Sequence, residues 1–410
     1  MKQSCSIVIG AGLGDEGKGH YVDILSNKPS TLNIRFNGGP QAAHTVVTPD
    51  GMRHVFRHIG AGTFTGAATY LGQDFLINPV EFVFEYNDLK EKFGITPIVF
   101  INEKSPVTTF FDMYINKAIE EYRDKNRHGS CGMGIWETVV RTDNPEYKIT
   151  VKDLFFEKPL REKLKRIRDI YVPKRLKEEY GLVLSDISNL SENYMAMILN
   201  DETIDMFIFY VYEFLSLVTI RNDTIINCFN NLVFEGAQGL GLDENNPECS
   251  MDYLTPSTTG VTNAMRILKN AKYTGIPEIY YISRPYATRH GMGPLAYETD
   301  EAKYKRVVDE TNIPNKYQGN LRFAYIDFDI MASRIVRELP KIVIPSKINI
   351  GFTCLDQLDT SFGVGNKEGI EKHNSGDFIN KAKLYFKKAI PCVIDFSGTY
   401  GLTRDEFEEF

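Results

Sequence analysis

The residues of this chain best suited to chemistry lie in the glycine-rich stretch 7–23. Asp15, Glu16 and Lys18 stand among five glycines, directly after the apolar run Ile7–Ile9. Such a run predicts a buried strand, and the residues after the glycines can open a helix. Backbone N–H groups of a glycine turn and a helix N-terminus together bind anions, and Lys18 adds a mobile cation. A carboxylate beside phosphates is useful if it holds Mg²⁺ or takes a proton, which makes Asp15 a candidate metal ligand and base.

This stretch is not a standard nucleotide-binding motif. The spacing from Gly12 to Lys18 fits a P-loop, but Gly19 stands where that motif has Ser or Thr. The alternating glycines do not form a clean dinucleotide fingerprint either. The alternative is a tight strand-to-helix turn without a ligand. Charges of both signs within Gly14–Gly19 favour a phosphate site, because a plain turn has no need of them.

Two further stretches place polar side chains at the ends of predicted strands. After the predicted strand Thr31–Phe36, residues 37–45 contain several small residues, and His44 projects from that run. A second apolar run ends in Glu235 and Gln238, which are flanked by glycines. Open α/β sheets bind ligands beyond the carboxyl ends of their strands. We therefore interpret both stretches as ligand-binding elements, although a lone histidine is more often structural.

Composition excludes several functional classes. The 410 residues are 42% hydrophobic and 25% charged, with a net charge of −7, as expected for a soluble globular protein without general affinity for nucleic acid or anionic membranes. No stretch reaches the roughly 20 apolar residues of a membrane span, and the N-terminus does not read as a signal peptide. The six cysteines include no CxxC pair, which argues against a zinc site or a disulfide framework. These features predict a cytoplasmic protein.

The elements that must position these residues alternate along the chain. Strands are predicted at 31–36, 55–62, 70–79 and 97–101, and 80–93 has helical spacing. This alternation predicts an α/β fold with a large, mostly parallel sheet and helices on both faces. A helical region follows. Residues 150–225 are charged, which predicts solvated helix faces, and the more apolar stretch Met206–Ile220 within this region predicts a buried core helix.

The hexapeptide Gly14–Gly19, followed by Val22 and Asp23, resembles the adenylosuccinate synthetase family. Residues 235–239 match that family's Glu-Gly-Ala-Gln-Gly segment letter for letter, and the other motifs follow in the family's order. The resemblance implies one catalytic domain over residues 1–410 with a P-loop-like, GTP-dependent ligase architecture. It also implies a carbon–nitrogen ligase of purine metabolism that uses Mg²⁺ and forms a homodimer in the cytoplasm, or in the host cytoplasm if the source is a virus. The implied partners are small molecules, namely a purine nucleoside monophosphate, a nucleoside triphosphate and L-aspartate.

The resemblance also implies a two-step reaction. Asp15 would take the proton from purine N1, so that O6 attacks the γ-phosphate of the triphosphate. Lys18, His44 and Mg²⁺ would stabilise the charge of the transferred group. The amine of aspartate would then displace phosphate from C6, while Gln238 holds the C6 region. Asp15 and the carbonyl of Ala43 are the implied metal ligands.

Further binding residues follow from the same resemblance. The implied nucleotide-binding residues are Gly14, Glu16, Gly17, Gly19, Gln41, Ser130, Arg141, Thr255, Asp356, Ser397 and Gly398. Among them, Asp356 would pair with N1 and N2 of guanine, and Arg141 would reach a phosphate across a dimer interface. Ser397 and Gly398 fall on the family's base-covering turn. The implied aspartate-binding residues are Gln318, Asn320 and Arg322, where Arg322 alone supplies the bidentate cation that a dicarboxylate needs.

Several residues depart from the family pattern and leave the substrate open. Asn320 stands in place of an arginine, Cys354 in place of a lysine that packs on the base, and His290 in place of a valine. The leading hypothesis is the conversion of IMP, aspartate and GTP into adenylosuccinate. A virus-type relative that uses dGMP, aspartate and ATP or GTP is the alternative. Asp15 favours the first, because such relatives tend to lose this carboxylate. A non-catalytic nucleotide-binding subunit is the hypothesis from another class.

Overall fold

The computed structural model of this protein describes residues 3–123, 129–183, 198, 200–300, 304 and 320–410. Its strands are β1 (Ser4–Gly10), β2 (Thr31–Arg35), β3 (His44–Val47), β4 (Arg53–Phe56), β5 (Ala68–Leu71), β6 (Val99–Ile101), β7 (Thr219–Ile220), β8 (Asn231–Gly239), β9 (Glu278–Ser283), β10 (Tyr286–Arg289), β11 (Arg322–Asp327), β12 (Lys347–Phe352), β13 (Ser361–Asn366), β14 (Gly369–Asn374), β15 (Ile394–Thr399) and β16 (Phe407–Glu409). Its described helices are α1 (Lys18–Ser26), α2 (Pro79–Phe93), α3 (Phe110–Arg123), α4 (Ile135–Thr142), α5 (Glu157–Arg166), α6 (Val172–Tyr180), α7 (Asp201–Leu217), α8 (Thr262–Asn270), α9 (Phe328–Glu338) and α10 (Phe378–Ala389).

Ten of the strands form one sheet in the order β16-β15-β12-β9-β1-β8-β2-β5-β6-β7. Every neighbouring pair in it is parallel except β15 with β16. A smaller sheet has the order β10-β11-β13-β14, and β3 pairs with β4 alone. The prediction of an α/β fold with a large, mostly parallel sheet is confirmed.

Both faces of the large sheet are covered. In β1, Ile7 and Ile9 belong to one core cluster and Val8 belongs to the other. Successive side chains of a strand point to opposite faces, so this division requires packed helices on each side. Helices α8, α9 and α10 contribute to the first cluster, and α1, α2, α3 and α7 contribute to the second.

Two predicted strands have different bounds in the structure. The segment 55–62 is strand only to Phe56, where β4 pairs with β3 outside the large sheet, and 70–79 is strand only to Leu71. Two glycines within 55–62 explain why the first of these strands is shorter than predicted. A Cβ at Gly60 would lie 2.5 Å from that of Asn33, and one at Gly62 would lie 2.3 Å from Ser26 Oγ, so this segment packs tightly across β2 and α1 as turns.

The predicted core helix at Met206–Ile220 is half exposed, which corrects the sequence-based interpretation. Helix α7 ends at Leu217, and its buried face includes Phe207, Val211 and Phe214. On its other face, Phe209 and Tyr212 are 59% and 54% exposed. The prediction rested on the apolar composition, which does not show that only one face of this helix is buried. No helix in the described ranges combines the length and apolar character that a bilayer crossing requires.

Candidate active site

The central position of β1 fixes where the candidate site lies. β1 runs parallel to β8 on one side and to β9 on the other, so that Gly10 is in register with Gly239 and with Ile282. The carboxyl ends of these strands therefore meet at one edge of the sheet, and β2 and β12 end at the same edge. Parallel sheets bind ligands beyond this edge. The predicted residues Asp15, Lys18 and Gln238 all follow or terminate strands there.

The glycine turn after β1 is folded around the carboxylate of Glu16. Its Oε1 accepts hydrogen bonds from the N–H groups of Gly12 and Gly14 at 3.1 and 2.9 Å, and its Oε2 lies 2.5 Å from Lys18 Nζ. Glu16 and Lys18 are each only 3% exposed. The Glu16 side chain thus shapes the turn and holds the lysine. Any nucleotide contact of Glu16 is expected from its main chain.

Helix α1 begins directly after this turn, and no side chain of the described residues caps its N-terminus. Its first N–H groups are therefore available to an anion. Gly17 precedes the helix with a φ of 80°, and a Cβ there would lie 2.8 Å from Thr353. Thr353 Oγ1 also donates to Glu16 O at 2.8 Å, which ties the loop after β12 to the glycine turn.

Asp15 has a left-handed backbone with a φ of 58°. This backbone conformation is unfavourable for residues other than glycine, and such residues are found in it most often at functional sites. His290 Nε2 lies 3.3 Å from Asp15 Oδ2, and the two side chains are 23% and 29% exposed. Both groups therefore face the open edge of the sheet. Sequence reasoning noted His290 as a departure from the family but did not predict its contact with Asp15.

His44 and Glu235 form a buried pair that connects β3 with β8. His44 Nδ1 contacts Glu235 Oε1, while Glu235 Oε2 accepts from Ala61 N at 2.9 Å and Arg35 Nη1 lies 3.6 Å from Oε1. Burial lowers the pKa of His44 below its usual value, and the hydrogen bond to Glu235 offsets only part of that effect. Burial opposes ionisation of Glu235, but Arg35 and then His44 outweigh it and lower its pKa. Neutral His44 thus donates through Nδ1 to the carboxylate, and Nε2 remains for a ligand.

Glu235 lies in a stretch that the sequence predicts to bind ligands, but the sequence pattern gives it no role of its own and does not single out Arg35. The signal was present, because charged residues inside an apolar, buried strand need a partner or a function. Both side chains are 0% exposed. Glu235 orients the His44 ring, and Arg35 offsets the negative charge of Glu235.

The side-chain amide of Gln41 is suited to bind a polar ligand. Both polar atoms of its side-chain amide are buried, and neither has a hydrogen-bond partner among the described residues. Such atoms are costly to leave unsatisfied. The neighbouring Asn37 locks the segment to β8, since it accepts from Ala237 N at 2.9 Å and donates to Ala237 O at 3.1 Å. A polar ligand beside Gln41 would supply the absent partners.

Gln238, one residue before the end of β8, has a left-handed φ of 63°. A Cβ at Gly14 would lie 3.8 Å from Gln238 Oε1, so the amide borders the glycine turn. A Cβ at Gly19 would lie 2.7 Å from that of His44, so the start of α1 borders β3. The structure therefore brings the glycine turn, His44 and Gln238 together.

Arg141 requires a correction. It is 0% exposed, and it donates to the Asp112 carboxylate at 2.8 and 2.9 Å and to the carbonyls of Val107 and Tyr147 at 2.6 and 2.7 Å. These bonds occupy all three nitrogens of the guanidinium inside the protomer. The expectation that Arg141 reaches a phosphate across a dimer interface is therefore not met in this structure.

Ser397 and Gly398 also differ from the expected base-covering turn. β15 continues through both residues to Thr399. Ser397 is buried, and its hydroxyl donates to Asn349 Oδ1 at 2.7 Å and lies 3.1 Å from the Tyr21 hydroxyl. A turn that covers a base would begin only after Thr399.

Other predicted nucleotide contacts lie on loops. Ser130 Oγ exchanges hydrogen bonds with the Asn116 amide at 3.0 and 3.2 Å. Thr255 is half-buried, and its N–H donates to Leu242 O at 2.9 Å. Asp356 is exposed in the short turn after β12.

The predicted aspartate-binding residues are only partly visible. Gln318 lies outside the described residues, and Asn320 is exposed. Arg322 pairs with Glu298 through Nε at 2.7 Å and also through Nη2. Its Nη1 donates to the carbonyls of Gly291 and Gly293 at 3.0 and 2.9 Å. Aspartate could bind Arg322 only by exchange with Glu298.

The donor set at Asp15 fits Mg²⁺ better than a protein-enclosed metal. No group of three or more metal-ligating side chains occurs among the described residues. Mg²⁺ commonly binds through one or two carboxylates together with substrate phosphates and water. Asp15 and the Ala43 carbonyl, next to an anion-binding turn, are compatible with that pattern.

This chain is similar to known proteins over most of its length. The profile of the adenylosuccinate synthetase family matches residues 7–322. The adenylosuccinate synthetase of Malacoplasma penetrans is 27% identical over 316 residues, which cover 76% of this chain and 68% of that protein. That of Nostoc punctiforme is 30% identical over 298 residues, which cover 72% of this chain and 62% of the relative.

Two solved structures share the fold. Fully ligated adenylosuccinate synthetase from Plasmodium falciparum has a TM-score of 0.72 at 18% identity and covers 98% of this chain and 99% of its own. The succinoaminodeoxyadenylate synthetase of cyanophage S-2L, bound to dGMP and to dATP as an energy donor, has a TM-score of 0.61 at 12% identity, with 100% and 96% covered.

The structural likeness extends past the end of the profile match, so the elements after Arg322 belong to the shared fold. The carbon–nitrogen ligases of purine biosynthesis that make up this family are the enzyme class predicted from the sequence. With the profile matching well over half of its residues, this chain belongs to the adenylosuccinate synthetase family.

Proposed function

We propose that this protein joins L-aspartate to C6 of IMP with hydrolysis of GTP, and releases adenylosuccinate, GDP and phosphate. The observation that carries the proposal is the assembly of Asp15, Lys18 and His44 at one sheet edge, the latter two on buried carboxylate partners. A base for the purine and two cation-type groups for the transferred phosphoryl group are what this reaction needs.

The first step activates the purine oxygen. Asp15 takes the proton from N1, the O6–phosphorus bond forms and the bond from the γ-phosphorus to the bridging oxygen breaks, so GDP leaves. Lys18 and the N–H groups at the start of α1 stabilise charge on the transferred group, and His44 donates to it from Nε2 once the phosphate charge favours protonation of the imidazole. Mg²⁺, held by Asp15 and the Ala43 carbonyl, would neutralise phosphate charge when bound.

The second step forms the carbon–nitrogen bond. The amine of aspartate attacks C6, and the C6–O bond breaks with loss of phosphate and a proton. Gln238 holds the C6 region, and Gln41 supplies amide groups to the monophosphate. Arg322 binds a carboxylate of aspartate in exchange for Glu298, which is 42% exposed. Asp356 pairs with the base of the triphosphate.

The alternative function is the amination of dGMP with ATP or GTP as donor. Asn320 and Cys354, which replace an arginine and a lysine of the family pattern, favour it. The cyanophage enzyme of the same fold, which was solved with dGMP and dATP, gives it a precedent. The retained Asp15 favours IMP.

Aspartate-dependent release of phosphate tests these functions directly. IMP, dIMP, GMP and dGMP would each be offered with GTP or ATP and Mg²⁺. We expect turnover with IMP. Turnover of dGMP but not of IMP would establish the alternative, and the absence of turnover with any pair would favour a non-catalytic nucleotide-binding subunit.

Assembly and location are further proposals from family membership. We propose one catalytic domain over residues 1–410 and a cytoplasmic homodimer, in the host cytoplasm if the source is a virus. The inward position of Arg141 means that a dimer would have to complete the phosphate site through other residues. Light scattering with and without nucleotides tests the dimer.

A further inference from the structure

We infer that His290 determines which purine the site accepts, by engaging one oxygen of Asp15 and leaving the other for the base. This inference rests on the proposed function and concerns its acceptor. A carboxylate with one oxygen available matches hypoxanthine, which presents one donor on that edge. It does not match guanine, which presents two.

The contact is held from both sides. His290 follows Arg289, which donates to the carbonyls of Met292 and Pro294, each at 3.1 Å, and to Tyr253 O at 2.9 Å. The loop is therefore wrapped around a guanidinium that is only 3% exposed. Such a loop presents the imidazole in a fixed position.

Two other contacts fix the loop relative to Asp15. Arg322 donates to the carbonyls of Gly291 and Gly293 from the far side. Thr288, two residues before His290, donates from Oγ1 to Gly14 O at 3.3 Å and so binds the strand to the residue preceding Asp15. The 3.3 Å separation of His290 Nε2 and Asp15 Oδ2 thus joins two anchored segments.

The count of hydrogen bonds gives the selectivity. Hypoxanthine offers N1–H beside a non-polar C2–H, whereas guanine offers N1–H beside a 2-amino group. A carboxylate with two available oxygens pairs with both guanine donors, as the family role of Asp356 illustrates. With Nε2 of His290 at Oδ2, the 2-amino group meets a second donor instead of an acceptor. An unmatched polar group in a binding site costs considerable affinity.

His290 stands where the family pattern has a valine. Where the family pattern has valine, the side chain has no donor and cannot occupy Asp15 in this way. The 23% and 29% exposure of the two side chains places the pair at the open edge, where a base can reach it.

Calorimetric titration with IMP and with GMP, without triphosphate, aspartate or Mg²⁺, measures the selectivity apart from turnover. The wild type is expected to bind IMP at least roughly tenfold more tightly than GMP, the factor typical of one unmatched hydrogen bond. H290V should reduce that ratio by about tenfold, and H290Q, which keeps an N–H donor, should largely restore it.

His373→Val is the matched control, because His373 Nε2 also lies 3.3 Å from a carboxylate, that of Glu371, on β14. It should leave the ratio at the wild-type value. An unchanged ratio in folded H290V overturns the inference while the IMP ligase function stands. A wild type that binds GMP at least as tightly overturns it even if H290V does not fold. Failure of the proposed function is a separate result, the absence of aspartate-dependent phosphate release.

Discussion

The two ends of the candidate site are held in different ways. At the phosphate end, Lys18 pairs with Glu16 and His44 pairs with Glu235, and each of these four side chains is at most 7% exposed. At the amine end, Arg322 and its partner Glu298 are 27% and 42% exposed. The first end is assembled by folding, and the second is open to exchange.

The free energy needed to break an ion pair differs between these two ends. Breaking a buried ion pair costs about 3–5 kcal/mol, because a charge is left without a partner. An exposed pair contributes only about 0–1 kcal/mol. Under the proposed function, a substrate carboxylate would therefore displace Glu298 from Arg322 at little cost, whereas the buried pair of Lys18 with Glu16 would be costly to break. In the proposed reaction, these preorganised groups would lie where charge develops during phosphoryl transfer.

The largest expected effect comes from Asp15→Asn. The amide keeps the size of the side chain but cannot take the N1 proton, so kcat for aspartate-dependent phosphate release should fall by about 10²–10⁴. Asp395→Asn, in an exposed position on β15, is the control and should keep wild-type turnover. Full-speed release by Asp15→Asn would remove the proposed base.

His44→Asn should have the next largest effect, a loss of about 10²–10³ in kcat, since the side chain no longer reaches the transferred phosphate. The matched control is His58→Asn, because His58 Nδ1 pairs with the buried carboxylate of Glu85 at 3.2 Å. The control should lower the thermal midpoint without a comparable loss of kcat. Equal kcat losses in the two variants would show that His44 is structural.

Local pattern was sufficient to predict the frame of this site. The apolar run Ile7–Ile9 became the central strand β1, and the glycines after it became the turn that holds Lys18. The Glu235–Gln238 segment likewise lies at the carboxyl end of β8. Each of these predictions depends on residues within a few positions of one another.

Contacts distant in sequence could not be predicted. His44 meets Glu235 across 191 positions, and Asp15 meets His290 across a still longer stretch of sequence. Arg141 illustrates the opposite error, because a family role gave it a partner across a dimer while Asp112 already binds it inside the protomer. Sequence spacing shows which residues can do chemistry, but it does not show which other residues already occupy them.

At the amine end, Arg322→Met should raise KM for aspartate by roughly 10- to 100-fold, the loss expected for a charge-assisted hydrogen bond. Glu298→Gln should lower that KM by about two- to fivefold, because the competing carboxylate is gone and the exposed pair was weak. Opposite shifts would confirm exchange between substrate and Glu298. An equal rise in both variants would show that the pair only supports the loop.

The smallest expected effect concerns a histidine outside the candidate site. It tests how much buried histidines lower the stability of the fold at acidic pH. His54 is 9% exposed and packs edge-on against Phe56 and Phe93, with ring centroids 4.7 and 6.0 Å away. Burial lowers its pKa, and Glu85 and Asp88 only partly offset the shift. The unfolded chain therefore binds a proton near pH 6.5 that the folded chain excludes, so stability is lost as the pH falls from there through the folded pKa.

His54→Phe keeps the aromatic contacts and removes the proton. The Nε2 atom of His54 is buried without a hydrogen-bond partner among the described residues, so the replacement breaks no hydrogen bond at that atom. The drop in thermal midpoint between pH 7.5 and pH 5.5 should become smaller by roughly 1–3 °C. Arg53→Lys, at an exposed neighbouring position on β4, exchanges one cation for another and should keep the wild-type drop. A drop that is the same in His54→Phe and wild type would mean that the acid sensitivity resides in other groups, such as His20 and His44, whose pKa values burial also lowers.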